Sequence, residues 1–336
     1  MRGNIPIPEL PEGEEVWLAL TVAVVRRRYT QQGYPFYDAK GYNSAGSIPL
    51  RAWSETIELC GELSAGLWRV TGAVRDRQFV LTRYEPIDRT EYLSRQGSEP
   101  VLPQAYVLDI ETLTLPGYRE RAAHKLERRY RIGEMNADQR ERYLADRQAE
   151  EERAYRAGSL SGASGRVLSI AVQIGAQPEF VPYTAAAVES EHVFGIDNQG
   201  LEQPEQHALT GFLNLMRRFR IELDEIVGHN IAWFDLPFIY QRCLVLGIPA
   251  RPTLESTGYN VFDTMRNWGL GDRRNIALDD ISWALGIESS KTPEVEGSRI
   301  YELYQNGRLA DIRDYNLRDV RLTRKIYDRM ISFLGR

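Results

Sequence analysis

The sequence predicts a mixed α/β domain preceded by a small all-β barrel, and three observations carry that expectation. Residues 16–86 alternate short apolar runs of period two with turn residues, and they hold one helical stretch. A second apolar strand, centred on Val107, ends in two carboxylates. From residue 205 onward helical spacing dominates, broken by Gly and Pro loops.

In the first region Val16, Leu18, Leu20, Val22 and Val24 recur at every second position, which predicts a strand. The turn residues QQGYP, the segment FYDAKGY and the turn NSAG follow. In SIPLRAW, Ile48, Leu50 and Ala52 alternate as a further strand. SETIELCGEL predicts a short helix with Ser54 as N-cap. The capping box is half present, because Ile57 stands where Glu or Gln would close it. LWRVTGAV and QFVLTRYEP add two strands. Three strands, a helix and two strands is the order of a five-stranded OB barrel, assigned to residues 14–88. Residues 89–103, with Pro, Ser, Gly and charged residues, are expected to be a linker.

The α/β domain is expected over residues 104–336. In QAYVLDIETLTL, Tyr106, Leu108 and Ile110 alternate with Val107, Asp109 and Glu111, so the strand changes character at its end. Residues 119–157 carry eleven Lys/Arg against nine Asp/Glu and no proline, which predicts an insertion of one or two exposed helices. RVLSIAVQIGA predicts a buried strand, and residues 205–223 an amphipathic helix with Leu209, Phe212, Leu213, Leu215, Met216 and Phe219 on one side. EIVGHN is a strand, WFDLPFIYQRCLVLG a helix, and most of the remainder is helical.

Composition narrows the class. With 43% hydrophobic and 26% charged residues the chain is ordinary for a soluble globular protein. A net charge of −5 weighs against a simple basic nucleic-acid binder. That objection weakens where carboxylates gather in a metal site, since bound cations offset them. Cys60 and Cys243 are far apart and form no CxxC pair, so buried thiols are expected rather than a disulfide framework or a zinc site. The opening residues show no apolar leader core, and no apolar run approaches the roughly 18 residues of a membrane span. A cytoplasmic location with no membrane partner is therefore expected.

Three patterns can carry chemistry. Asp109 and Glu111, at i and i+2 of a strand, point the same way, and two unpaired carboxylates there favour a divalent cation between them. Hard oxygen ligands suit Mg²⁺ or Mn²⁺. Tyr315 and Asp319, at i and i+4 of a helix, share a face. In GHNIAWFDLPF a strand runs through a loop into a helix whose first turn holds Pro237, which places Asp235 at the helix start. Taken alone, each pattern reads more simply as a solvated strand end, an exposed Asp beside a Tyr, and a helix cap. Their order across the chain changes that weighting.

LDIET, GHNIAWFDLP and YNLRDVRLT together resemble the three exonuclease motifs of the DEDD superfamily in its tyrosine form. The likeness is greatest to the proofreading exonuclease domain of family-B DNA polymerases and to stand-alone exonucleases related to it. The stretch from Lys291 through Gly297 and Ser298 to the third motif is also similar to the stand-alone group. The resemblance implies a ribonuclease-H-like α/β fold and a metal-dependent 3′–5′ exonuclease that releases nucleoside 5′-monophosphates, as in proofreading or DNA repair. It implies two divalent metal ions held by Asp109, Glu111, Asp235 and Asp319, with Tyr315 orienting the attacking water. Asn230, Phe234 and Lys291 are candidates for the terminal nucleotide and its phosphate. Asp263 is expected to be a helix cap.

In the barrel, Arg26 and Arg28 close the first strand among Tyr29, Tyr34, Phe36, Tyr37, Tyr42 and Trp53. Arginines meet phosphates and rings stack on bases, so a single-stranded nucleic acid with a 3′ end is the expected partner, with Arg26, Arg28 and Tyr37 as candidate contacts. DNA is favoured and RNA remains an alternative substrate. Two other readings stand beside these. The chain can be a catalytically weak or inactive single-strand binding scaffold, and the insertion at 119–157 can be a solvated excursion, a lid or a protein-docking arm.

Overall fold

A computed structural model of the chain describes residues 2–3, 6–130, 132–184, 190–196, 203–250, 260–271, 276–292, 295 and 297–334. The chain divides into two compact units. One comprises residues 1–105, 175–189 and 328–336, and the other residues 106–174 and 190–327.

The first unit is built on a closed barrel. A two-residue strand β1 (Arg2–Gly3) pairs with β2 (Val16–Tyr29), which is followed by β3 (Pro35–Asn43), β4 (Gly46–Ala52), helix α1 (Ser54–Cys60), β5 (Gly66–Arg75) and β6 (Gln78–Pro86). β2 pairs antiparallel with β3, β3 with β4 and β5 with β6, while β4 joins β6 in parallel. The antiparallel pair β2–β5 closes the ring, so no edge of the five strands is left open. Leu18, Leu20, Leu50, Phe79 and Leu81 fill the interior. Close packing also fixes Gly72, where β5 slips register against β6. A Cβ there would lie 2.1 Å from the Val80 carbonyl oxygen.

One irregularity matters for the surface. Between Ala23 and Arg26 the register of β2 against β3 shifts by one residue, and Val24 sits there at φ 56°. The left-handed region is uncommon for a β-branched residue. Up to Val22 the even-numbered side chains of β2 enter the core, and beyond the bulge Val25 packs against it. The bulge thereby turns Arg26 and Arg28 to the outside, opposite Asp38 and Phe36.

Two expectations change here. Within the segment 89–103, expected to be a linker, residues 89–96 form helix α2 (Arg89–Gln96). Asp88 Oδ1 caps it from the Glu91 amide at 2.7 Å, and Gly97 ends it at φ 68°. The cause is Tyr92, fully buried against Ala19, Leu67 and Ile87. Ser54 is the first helical residue of α1 rather than its N-cap. Trp53 takes the cap position in extended geometry, without a side-chain cap bond.

The second unit carries a mixed sheet whose described strands lie in the order β11-β10-β7-β8-β9. These are β7 (Gln104–Thr114), β8 (Gly165–Ala176), β9 (Ser190–Gly195), β10 (Glu225–Gly228) and β11 (Val261–Asp263). β8 and β9 are antiparallel, β10 and β11 parallel. Helices α5 (Pro204–Met216) and α6 (Asp235–Leu246) pack on it, with Leu108, Ile110, Ile170, Phe212, Phe238 and Ile239 in one core. α5 stops at Met216, earlier than periodicity predicts, because Arg220 and Asp224 close a turn through the Arg220 amide at 2.8 Å and two guanidinium bonds.

The insertion is a helical pair, α3 (Tyr118–Tyr130) and α4 (Ala137–Arg156). Asn136 and Gln139 form a complete capping box on α4. Thr114 Oγ1 anchors the base of the pair by donating to the Tyr155 carbonyl at 2.8 Å. The remaining helices are α7 (Thr264–Trp268), α8 (Leu278–Ala284), α9 (Ile300–Gln305) and the long α10 (Leu309–Leu334). Among the described residues no helix is long and apolar enough to cross a membrane.

Candidate active site

β7 is the central strand of its sheet, and its alternation delivers Asp109 and Glu111 to one side. Helical spacing on α10 delivers Tyr315 and Asp319 to the same place. Asp109, Glu111 and Asp319 each bring a carboxylate oxygen within 4.8 Å of the others. Glu111 and Asp319 are each only 9% exposed. Tyr315 is buried in a small core with Leu113, Val295, Ile300 and Ile312, which fixes its ring.

Asp235 joins from another direction. It is the first residue of α6, yet it does not serve as the helix cap, since Phe234 holds that position. Its Oδ1 instead accepts a hydrogen bond from the Ile110 amide at 3.1 Å. Ile110 lies between Asp109 and Glu111, so this bond ties the start of α6 to the strand that bears both. Asp235 is 3% exposed.

The electrostatics follow from this crowding. Burial, then Asp235, Asp319 and Glu111, push the Asp109 carboxyl well above its usual range. Burial, then Asp319 and Asp235, do the same to Glu111. Burial raises Asp235 to about 7, against the lowering effect of the Ile110 amide. Burial raises Asp319 as well, although Ser290, Tyr315, Lys291 and Arg318 oppose it. Burial, then Asp319, raises the Tyr315 phenol far above its ordinary value.

A divalent cation fits these residues. Asp319 Oδ1 is buried and has no hydrogen-bond partner among the described residues. A buried acceptor left unmet is costly, and a metal ion between like-charged carboxylates relieves both that cost and their repulsion. The donors are all hard oxygens, which suits Mg²⁺ or Mn²⁺ over softer metals.

Asn316 completes the positioning and is not singled out by sequence reasoning. It is fully buried, its Nδ2 donates to Asp109 Oδ2 at 2.6 Å, and its Oδ1 accepts from Ser169 Oγ at 2.7 Å. The available signal was a polar residue in the middle of an otherwise amphipathic helix, beside Tyr315.

Asp263 is a helix cap, as expected, and more besides. It accepts from the Met265 and Arg266 amides of α7 at 3.0 and 3.2 Å. It also accepts from the Asn230 and Ala232 amides at 3.1 and 3.2 Å. One carboxylate thus shapes the loop that precedes Asp235, in which Asn230 has φ 58°. His229 Nε2 donates to the Ile276 carbonyl at 2.9 Å, which leaves Nδ1 to accept from the Thr264 hydroxyl at 3.0 Å. Burial lowers its pKa, which favours the neutral ring.

Among the substrate candidates, Asn230 is partly buried on that loop. Phe234 packs its ring 5.7 Å from Phe238, so much of it is core. Lys291 is 40% exposed, with its Nζ 3.6 Å from Asp279 Oδ2. In the barrel, Arg26 is exposed and Arg28 pairs with Asp38 at 3.3 Å. Tyr37 lies in the barrel core at 5% exposure, so its ring is not offered to a base. The outward alternation of β3 instead leaves Phe36 half-buried on the outer face, where it pairs with the exposed Trp53 at 5.3 Å, and the Arg51 guanidinium lies 5.2 Å from both ring centres.

A mixed sheet flanked by helices thus carries the carboxylate cluster, with Asp109 and Glu111 midway along its central strand. Residues 180–336 match the family described as "Predicted 3'-5' exonuclease related to the exonuclease domain of PolB". That stretch contains Asp235, Tyr315 and Asp319. Asp109 and Glu111 precede it and join the site through the geometry.

Among solved structures the chain is similar to the family B DNA polymerase from the hyperthermophilic archaeon Pyrobaculum calidifontis. The two share 14% identity over 94% of this chain and 46% of that chain, with a TM-score of 0.46, so the chain spans about half the polymerase's length. A piece is similar to a replication protein A heterotrimer bound to ssDNA, at 14% identity over 29% of this chain and 91% of that chain, TM-score 0.23. Another is similar to yeast Stn1 and Ten1, at 10% identity over 25% of this chain and 50% of that chain, TM-score 0.22. No curated protein matches the chain.

Proposed function

We propose that the chain is a metal-dependent 3′–5′ exonuclease that hydrolyses single-stranded nucleic acid, DNA in preference to RNA, to nucleoside 5′-monophosphates. The observation that carries this reading is the carboxylate triad within 4.8 Å, with Asp235 bonded to the backbone between two of its members. Asp109, Glu111, Asp235 and Asp319 would hold two divalent ions, Mg²⁺ or Mn²⁺. Bound there, such ions supply activation of a water and stabilisation of the leaving 3′ oxygen.

The chain's own groups prepare the rest. Asn316 fixes the Asp109 carboxylate, and the Ile110 amide fixes Asp235, so the ligand oxygens are set before substrate arrives. Burial keeps the Tyr315 phenol protonated, so it serves as a hydrogen-bond donor that orients water and not as a base. In the barrel, the Phe36–Trp53 pair and the arginines of β2 and β4 support single-strand binding, with rings for bases and cations for phosphates.

The test is turnover of labelled oligonucleotides with Mg²⁺ or Mn²⁺. Each ion-ligand interaction is worth several kcal/mol, so Asp109→Ala should lower kcat by about 10³-fold or more. A variant that degrades single strands at the parent rate would sink the site assignment. Comparing DNA with RNA, labelled at either end, tests the substrate and the direction.

A further inference from the structure

The turn formed by Ser289, Ser290 and Lys291 is docked on α10 by hydrogen bonds. Arg318, one residue before Asp319, donates from Nε to the Ser290 carbonyl at 3.1 Å. Ser290 is 6% exposed, and its side chain hydrogen-bonds Asp319. On the other flank Asp279, at the start of α8, accepts a hydrogen bond from the Ser289 hydroxyl. The same hydroxyl accepts from the Lys291 amide at 3.0 Å. The Asp279 Oδ2 atom then sits 3.6 Å from Lys291 Nζ. The turn is thus gripped from α8 and from α10, the helix that carries Tyr315 and Asp319.

The ion pair between Lys291 and Asp279 is loose. Its 3.6 Å separation exceeds the roughly 2.7–2.9 Å of a tight charge-assisted bond. Both side chains are more than a third exposed, and such pairs are worth about 0–1 kcal/mol. The ammonium can therefore leave Asp279 for a stronger anion at little cost. Its charge, with that of Arg318, favours the ionised form of Asp319. Arg318 Nη2 is buried and has no hydrogen-bond partner among the described residues, so the guanidinium is held through its single bond to the turn.

We propose that Asp279 and Arg318 are positioning residues that hold the Ser289–Lys291 turn against the carboxylate cluster, so that the Lys291 ammonium is presented to the phosphodiester being cleaved. Asp279 keeps the ammonium extended in the free protein and releases it to the phosphate. Arg318 fixes the height of the turn on α10 through its Nε, a donor partway along the side chain that a lysine lacks. The proposal rests on the exonuclease reading above.

A double-mutant cycle on the full chain with Mn²⁺ tests it, reading kcat and KM separately on 5′-labelled single-stranded DNA. A misplaced group costs up to about 10²-fold, so Asp279→Asn and Arg318→Gln should each lower kcat by about tenfold, with thermal midpoints near the parent's. In a Lys291→Ala background both should have little further effect, because they act through Lys291. Arg318→Lys should not restore the rate. Effects that multiply with Lys291→Ala, or an unchanged kcat in Asp279→Asn, would overturn the proposal while leaving the exonuclease reading intact. A parent chain that releases no nucleotide with either metal would overturn that reading and the proposal with it.

Discussion

The barrel and the carboxylate sheet handle charge in opposite ways. On the barrel three cations are already answered: Arg27 by Glu62 at 3.5 Å, Arg28 by Asp38 at 3.3 Å and Arg51 by Asp38 at 2.8 Å. At the carboxylate cluster, Asp109 and Glu111 of the sheet meet Asp319 and Asp235 of two helices, and every one of them is pushed toward its protonated form. A surface with paired charges is stable without a ligand. A cluster of unpaired like charges is unstable alone and is completed by what it binds. Substitutions in the two regions should therefore fail in different ways.

The largest effect belongs to the sheet. Asp109→Ala should abolish turnover by about 10³-fold while leaving strand binding by the barrel near the parent value, since the two rest on different groups. Loss of binding in step with turnover would erase the distinction between the regions.

On the barrel the effect should be smaller and should appear in KM. Base stacking is worth about 1–3 kcal/mol per base, so Trp53→Ala should weaken single-strand binding by about fivefold or more. Arg28→Ala should do less, because Arg28 is exposed and already paired with Asp38. Tyr37→Ala should act differently again. As a buried ring it should lower thermal stability by about 3 kcal/mol, with binding changed only as the barrel loosens. A Tyr37 variant that folds normally and binds weakly would restore that residue to the surface role predicted for it.

That contrast shows where the sequence was legible. Period two gave the barrel strands and the outward pair Asp109 and Glu111, and period 3.6 gave the shared face of Tyr315 and Asp319, because these follow from local geometry alone. The bulge at Val24 was not legible, since Val24 continues the alternation and nothing in its residue type announces a φ of 56°. The burial of Tyr37 is hidden for a related reason: which face of β3 is inside depends on closure of the whole ring. Asn316 and the Arg318 strut escaped because their roles are set by partners 207 and 28 residues away. Helix α2 escaped because the burial of Tyr92 overrides a composition that reads as linker.

The pH dependence of stability should separate the regions once more. A carboxyl whose folded pKa is raised above its unfolded value takes up a proton preferentially when folded. Its contribution is fully present below the unfolded value of about 4 and is lost as pH rises through the folded value. For Asp235 that folded value is about 7. The metal-free protein should therefore melt lower near pH 8 than near pH 5, at about 2–4 °C per kcal/mol. Mg²⁺ or Mn²⁺ should raise the midpoint near pH 8 far more than near pH 5. Asp109→Asn should raise the metal-free midpoint near pH 8, because it removes one of the repelling charges. Melting curves that do not respond to pH or metal would mean the carboxylates are not the strained group described.

The smallest effect is expected from the helical insertion. Its charges resemble the barrel's in being paired: Arg119 with Glu152 at 2.8 Å, and Arg147 with Glu151 at 2.6 Å and with Glu127 at 3.6 Å. Exposed pairs of this kind contribute about 0–1 kcal/mol each and leave little net field to attract a phosphate backbone. The base of the pair, held by Thr114 and the Tyr155 carbonyl, lies in the same chain segment as β7, so it should be kept in any test. Replacing residues 124–149 by a short Gly/Ser turn should then leave kcat unchanged and KM within about twofold, a change below 0.5 kcal/mol. A tenfold rise in KM on long strands, with short ones unaffected, would make the insertion an arm that follows the substrate. A fall in kcat on strands of every length would make it a lid, and the paired charges of the insertion would then have to be counted with the carboxylate sheet and not with the barrel.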